Sequence, residues 1–344
     1  MNNKLKIAIN GFGRIGRLFF RQASDQFDIV AINDLSDVHN LAYLLKYDTV
    51  YRTYHKNIFV LEEGGRNYLV IENQKILVLQ EKDPNLLPWK DLGVDVAVEA
   101  TGVFESFEKA SVHLKAGAKR VVLTSPAKDE ERDDAKTVLL GLNEDKFKVC
   151  KITSNGSCTT NATHPVAAVM LETVGIKKAV MNSIHAYTAT QSLVDGTAGR
   201  SKDFRRGRAA AMNMVPASSG VTVSVSRVLK DLEGKFDGMA IRVPNITVSL
   251  ADFTFVSGRP TSVEEINNIF RKAAADPRWT GVLGVVEDQI VSSDIIGASY
   301  GSIIDLSFTR VVDGDLVKVF AWYDNEWGYV TTLVRHVQKV GESL

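Results

Sequence analysis

Leu5–Arg17 reads "LKIAINGFGRIGR", and this stretch decides the fold of the first half of the chain. Its apolar start has the character of a short buried strand, and Ile15, Leu18, Phe19 and Phe20 then recur at helical spacing. Between the two lie Gly11, Gly13 and Gly16 in the spacing G-x-G-x-x-G. A glycine turn of this kind lets the backbone approach a pyrophosphate and aims the unpaired N–H groups of a helix start at it. The same spacing also occurs in plain tight turns, so its surroundings carry weight. Here a strand precedes, a helix follows, and "DIVAIND" supplies a second strand ending in Asp34, 18 residues after Gly16. A carboxylate at that place can bind an adenosine ribose diol and repels a 2′-phosphate.

Further apolar runs follow in "VDVAVEAT", "RVVLTSP" and "TVLLGLN", separated by enough chain for crossovers. Continuous rather than alternating apolar runs predict parallel strands covered on both faces, hence an α/β fold with a doubly wound parallel sheet. After about Cys158 the texture changes to longer, more alternating runs such as "KFDGMAIRVP" and "ITVSLADFTFVSG". In "VVDGDLVKVFAWY" the Asp313-Gly314 pair marks a hairpin. The second half is therefore predicted to hold a mostly antiparallel sheet in an α+β domain. A long polar loop, "TATQSLVDGTAGRSKDFRRGRAA", exceeds a routine connection and points to a functional or interface element.

At 344 residues the chain exceeds what one core usually organises, so two domains are expected. The balance of 41 Lys and Arg against 41 Asp and Glu removes any global electrostatic case for nucleic acid or a membrane surface. No apolar run approaches a membrane span, the N-terminus has no secretory pattern, and two cysteines are too few for a disulfide framework. A cytoplasmic protein acting on small molecules is expected, with no metal.

One of the two cysteines sits in "SNGSCTTNATHP", residues 154 to 165. Val166, Val169, Met170 and Val174 continue from it at helical spacing, which puts Cys158 near a helix start, where unpaired N–H groups and the dipole favour thiolate. Pro165 is expected to delay or kink that helix. Cys150, in "FKVCKIT", reads as a small buried hydrophobe. A thiol nucleophile needs a base, and His185 ends an apolar strand just before the polar loop. A lone histidine has several ordinary explanations, so this pairing stays open on the residues alone. Arg200, Lys202, Arg205, Arg206, Arg208 and Arg242 would gain a purpose from a phosphorylated substrate, whose oxygens match guanidinium forks.

The segments "INGFGRIGR", "VEATGVF", "AGAKRVVLTSPAKD", "SNGSCTTN", "HAYTATQ", "RRGRAAAMNMVPASSG", "GMAIRVPN" and "WYDNEWGY" closely resemble phosphorylating glyceraldehyde-3-phosphate dehydrogenases in order and spacing. The resemblance spans essentially the whole chain. It implies a cytosolic, homotetrameric, glycolytic enzyme that uses NAD, inorganic phosphate and glyceraldehyde 3-phosphate. A Rossmann domain would comprise residues 1–156 and a returning C-terminal segment, 324–344, around a catalytic domain of residues 157–323. Cys158 would be the nucleophile and His185 its base. Gly11, Gly13, Arg14, Ile15, Gly16, Asp34, Lys82, Thr124 and Asn325 would bind the dinucleotide. Ser157, Thr159, Thr188, Arg205, Ser219, Gly220 and Arg242 would form sites for the substrate phosphate and the attacking phosphate. Departures from the family pattern are Ala162 in place of a second cysteine, Ser219 in place of threonine, Lys82 in place of arginine and Thr197 in place of proline. The last leaves the strictness of NAD over NADP open. Erythrose-4-phosphate dehydrogenase, which hydrolyses its acyl-enzyme, is the nearest alternative, and a non-catalytic binding role is the alternative from another class.

Overall fold

The computed structural model describes residues 4–199 and 201–344, so Arg200 of the basic loop lies outside the described residues. The chain forms two compact units. The first runs to Val138 and takes in Asn143–Gly156 and Leu333–Leu344; the second comprises Leu139–Leu142 and Ser157–Thr332. The outward switch thus falls at Gly156/Ser157 and the return at Leu333, nine residues beyond the expected 324, with a four-residue excursion at 139–142 that the sequence does not announce.

In the first unit, β1 (Lys6–Asn10), α1 (Arg14–Ala23), β2 (Asp28–Asn33) and α2 (Val38–Lys46) are followed by β3 (Ile58–Glu63), β4 (Arg66–Ile71) and β5 (Gln74–Leu79). Then come α3 (Trp89–Leu92), β6 (Val96–Glu99), α4 (Phe107–Ala110), α5 (Val112–Lys115), β7 (Arg120–Leu123), β8 (Ala135–Thr137) and β9 (Ile152–Ser154). The nine strands lie in the order β3-β4-β5-β2-β1-β6-β7-β9-β8. β1 is flanked by β2 and β6, both parallel to it, so the strand order reverses there. That reversal opens the crevice at the strands' C-terminal ends where doubly wound sheets take their ligands. Ile7, Ala8, Ile9, Val96, Ala97 and Val98 have no exposure, as continuous apolar runs require of strands covered on both faces.

The sheet is mostly parallel, as predicted, with β3 and β4, and β4 and β5, pairing antiparallel at one edge. One expectation needs correction. The run "TVLLGLN" contributes only Thr137 to β8, and the strand next to β7 is instead the short β9. Both strands have three residues, fewer than periodicity can register.

In the second unit, α6 (Cys158–Thr173) leads into β10 (Ile176–Ala186), β11 (Val215–Ser218), α7 (Val221–Val228), β12 (Phe236–Val243) and β13 (Ser249–Ser257). α8 (Val263–Ala275), β14 (Leu283–Val286), β15 (Ser302–Val312) and β16 (Leu316–Tyr323) complete the unit, and α9 (Trp327–Glu342) begins in it and passes to the first unit from Leu333. The strand order is β11-β12-β10-β13-β16-β15-β14, antiparallel except for the β10/β12 and β14/β15 pairs. Asp313 and Gly314 turn the β15–β16 hairpin with φ of 50° and 75°, which is why an Asp-Gly pair stands there. No helix among the described residues is long and apolar enough to cross a membrane.

His164 on α6 and His336 on α9 have no exposure. Burial pushes their imidazoles down to about 4 and about 3. The neutral ring is thus the folded form, while the unfolded chain takes up the proton near 6.5. Between pH 6.5 and those values the unfolded state binds more protons, so stability falls as pH falls, by about 1.4 kcal/mol per pH unit for each histidine. Denaturant unfolding of the parent and of His336→Gln from pH 7.5 to 4.5 should give a shallower loss for the variant; parallel pH dependences would refute the assignment.

Candidate active site

Ser157 caps α6: its Oγ accepts from Thr160 N at 3.0 Å, and Thr160 Oγ1 accepts from Ser157 N at 3.1 Å. This capping box starts the helix at Cys158 itself. Pro165 lies inside α6 and does not delay it, contrary to expectation. A proline in the eighth position removes one N–H, a loss that the cap and the buried apolar flank of α6 offset.

Cys158 is half-buried, with Sγ 3.5 Å from His185 Nε2 and 3.9 Å from Thr159 Oγ1. His185 is the second-last residue of β10 and pairs in register with Arg242 of β12, which in turn pairs with Val215 of β11. Two groups face His185 Nδ1: the Ala186 carbonyl at 2.7 Å and Arg242 Nη1 at 2.6 Å. The carbonyl accepts from Nδ1–H and leaves the Nε2 lone pair aimed at the thiol; the guanidinium would donate to a bare Nδ1 and put the proton on Nε2. Arg242 Nη1 also donates to Ala186 O at 3.1 Å, while its Nε is buried without a hydrogen-bond partner. Burial, and then the positive charge of Arg242, hold His185 down to about 3, so the ring is neutral at neutral pH. Burial also pushes the Cys158 thiol up, against the pull of Arg242 and Thr159. The helix start therefore does not by itself make a thiolate, and the neutral imidazole is placed to take the proton.

The hydroxyls crowding Cys158 have structural partners. Ser157 Oγ serves the cap, and Thr159 Oγ1 lies 3.1 Å from the phenol of Tyr323. Tyr323 ends β16, is buried, contacts Ser183 Oγ at 2.7 Å and sets its ring edge-on to His185 at 6.0 Å. Burial, followed by the nearby Cys158, pushes its phenol pKa up, so it remains protonated. Sequence reasoning missed Tyr323; its place as the last residue of a strand is the signal that could have found it.

Among the other expected anion ligands, Thr188 follows β10 by two residues and contacts Thr190 Oγ1 at 2.9 Å. Gly220 is the first-turn cap of α7, and Ser219 Oγ accepts from Val221 N at 3.3 Å. Arg205 Nε and Nη2 pair with Asp203 at 2.7 and 3.2 Å on the surface. Arg206, one residue on, donates from Nη1 to Thr190 Oγ1 at 3.2 Å, and its charge acts on both His185 and Arg242. In a run of two arginines spacing cannot tell which one faces inward. Arg206→Ala should raise KM for glyceraldehyde 3-phosphate or phosphate by about tenfold, the worth of one charge-assisted contact, and Arg205→Ala by less than about twofold. Steady-state titrations of both substrates would check this, and equal effects would overturn the distinction.

The residues expected to bind the dinucleotide belong to the first unit apart from Asn325. Gly11 has φ +93°, and a Cβ there would lie 2.7 Å from Ala100 C and Thr101 N. A Cβ on Gly16 would stand 2.1 Å from Gly11 O, whereas one on Gly13 meets nothing within 4 Å. Two of the glycines close the turn and the third leaves an open approach, which is the cradle a pyrophosphate requires. Arg14 and Ile15 open α1; the Arg14 side chain pairs with Asp48. Asp34 accepts from Phe12 N at 2.7 Å and Ser36 N at 2.9 Å, one bond to each oxygen, so its carboxylate is held at the rim of the glycine turn. Thr124 Oγ1 donates to Glu99 O at 3.0 Å, and Lys82 is exposed. Asn325 is buried in the second unit, its Oδ1 accepting from Ser249 Oγ at 2.9 Å.

Two family models match this chain. One, the NAD binding domain of glyceraldehyde 3-phosphate dehydrogenase, covers residues 5–107, and the other, the C-terminal domain of the same enzyme, covers residues 157–325. The chain belongs to the glyceraldehyde-3-phosphate dehydrogenase family. The family member of that name from Mycobacterium avium is 44% identical over 349 residues, 99% of either chain. The one from Borreliella burgdorferi is 44% identical over 98% of this chain and 99% of its own. Glyceraldehyde-3-phosphate dehydrogenase 1 of Bacillus cereus is 44% identical over 96% of each. For a glyceraldehyde-3-phosphate dehydrogenase family member, a Cys–His pair in the second unit and a glycine cradle in the first are a coherent division of labour. NAD is the cofactor that the first matched domain binds.

Proposed function

We propose that this chain oxidises glyceraldehyde 3-phosphate with NAD and inorganic phosphate to 1,3-bisphosphoglycerate through a thioester on Cys158. The observation that carries the reading is the 3.5 Å approach of Cys158 Sγ to His185 Nε2, with His185 Nδ1 2.7 Å from a backbone carbonyl. As Sγ bonds to the aldehyde carbon, the thiol proton passes to Nε2 and returns to the former carbonyl oxygen, giving a thiohemiacetal. His185 then takes the hydroxyl proton as the carbon–hydrogen bond is lost and a thioester remains. NAD, when bound, supplies the acceptor for that hydride. A phosphate oxygen attacks the thioester carbon, the carbon–sulfur bond breaks, and the sulfur regains a proton. Arg242 and Arg206 suit phosphate groups, and Ser219 with the helix start at Gly220 offers them a hydroxyl and N–H groups.

Asp34 favours NAD, since its carboxylate would face a 2′-phosphate. A homotetramer in the cytoplasm is the assembly and location the family resemblance implies. A partner subunit is supported by Leu193, Val194, Phe204, Met212 and Met214, each at least 76% exposed, since so many exposed apolar side chains in one segment of chain call for a covering partner.

The test is NADH formation from glyceraldehyde 3-phosphate with and without phosphate. Strict phosphate dependence is expected. A rate indifferent to phosphate would point to hydrolysis, as in erythrose-4-phosphate dehydrogenase, and no rate at all would leave only a binding role.

A further inference from the structure

Beneath the glycine turn lies a buried polar cluster that the mechanism above does not use. Glu99, the last residue of β6, is 3% exposed, and the cluster's other side chains include His113, Asn10 and Asn33, at 0%, 2% and 5%. Glu99 Oε2 accepts from Asn10 Nδ2 at 2.6 Å and from His113 Nε2 at 2.9 Å. The indole N–H of Trp89 donates to His113 Nδ1 at 3.1 Å, which leaves the imidazole proton on Nε2 and makes His113 a donor to the carboxylate. Glu99 Oε1 accepts from Thr101 N at 2.8 Å and also from the Thr101 hydroxyl. Asn33 Nδ2 donates to Asn10 Oδ1 at 2.7 Å, and Gly11 N to Asn33 O at 2.8 Å.

Asn10, Asn33 and Thr101 stand at the C-terminal end of a strand or just past one, whereas His113 lies on α5 and Trp89 opens α3. Asn10 precedes Gly11, Asn33 precedes Asp34, and Thr101 N is among the atoms a Cβ on Gly11 would strike. One carboxylate thus fixes the ends of β1 and β6 directly and that of β2 through Asn10 and Asn33. Four donors converge on it, an arrangement that only an acceptor-only group of this length satisfies. Glutamine would present an NH₂ to at least one of those donors, and a buried network left half satisfied is costly.

The geometry points to Glu99 as a positioning residue for the dinucleotide, acting through Thr101 and Asn10 on the wall and entry of the Gly11 turn. This rests on the reading of that turn as the NAD site. The test is a titration of NAD into the parent, Glu99→Gln and Thr101→Val, with kcat and KM for NAD, thermal unfolding, and the rate at which iodoacetamide alkylates Cys158 without NAD. Thr101→Val keeps the shape and the backbone N–H and removes one donor. Glu99→Gln should weaken NAD binding by about tenfold or more and Thr101→Val by about threefold. Both should appear in KM for NAD, with kcat at saturation within about threefold and the alkylation rate within about twofold, as expected if only the turn is disturbed. Binding within twofold of the parent in a folded Glu99→Gln overturns the inference. So does a Glu99→Gln that fails to fold or loses Cys158 reactivity while Thr101→Val binds NAD as the parent does. A parent that does not bind NAD would instead refute the reading of the glycine turn.

Discussion

Cys158→Ser should lower NADH formation from glyceraldehyde 3-phosphate by at least about 10⁴-fold, the usual consequence of removing a covalent nucleophile. The reason lies in both halves of the reaction. Burial already pushes the thiol up, so even sulfur depends on His185 to lose its proton, and a hydroxyl in the same place would give up its proton far less readily. An oxygen ester, if one formed, would be a poorer acyl donor to phosphate than a thioester. NAD binding should be unchanged within about twofold, because the glycine turn and Asp34 belong to the other compact unit. Mass spectrometry of the parent, quenched in acid without phosphate, should show a phosphoglyceroyl adduct on Cys158 that phosphate discharges. Residual turnover above about one per cent in the variant, or no adduct in the parent, would rule out the covalent route.

What the sequence discloses follows the range of each signal. The glycine turn, Asp34 and the Asp313-Gly314 hairpin are local chemistry, and each stands where its residues require a particular backbone. The α6 start was blurred by Pro165, because a proline signals a break while the capping box signals a beginning, and only the fold decides between them. The antiparallel edge β3–β5 escaped because its strands belong to a parallel sheet by neighbourhood and not by sequence pattern. Within the site, Cys158 and His185 were legible as types at suggestive places, but their 3.5 Å contact joins residues 27 apart and is a product of packing. Arg206 against Arg205 depends on which way neighbouring side chains face, for which one sequence has no signal, whereas Tyr323 had only its place at a strand end to mark it.

His185→Asn should reduce kcat by about 10²- to 10⁴-fold at pH 7, the range for loss of a positioned general base. Asparagine can fill much of the space and donate to the Ala186 carbonyl, but it cannot take a proton from Sγ. The pH dependence separates this role from a purely structural one. With the His185 ring held down to about 3, the parent carries a neutral base throughout pH 6 to 9, and the proton it must remove sits on a thiol whose pKa is pushed up. Raising the pH lets solvent remove that proton from Cys158 in the variant, so the ratio of variant to parent kcat/KM should climb toward the alkaline side. Alkylation of Cys158 by iodoacetamide, which needs thiolate and no later step, should rise with pH in both proteins. Arg242 enters through the same ring: it can donate to Nδ1 only when the proton is on Nε2, the tautomer unfit for a base. A phosphate that draws the guanidinium away would leave Nδ1–H to the Ala186 carbonyl and Nε2 bare, so the parent's advantage over His185→Asn should be larger with glyceraldehyde 3-phosphate than with unphosphorylated glyceraldehyde. A variant within threefold of the parent at pH 7, or a deficit that ignores both pH and the substrate's phosphate, would remove His185 from the role of base.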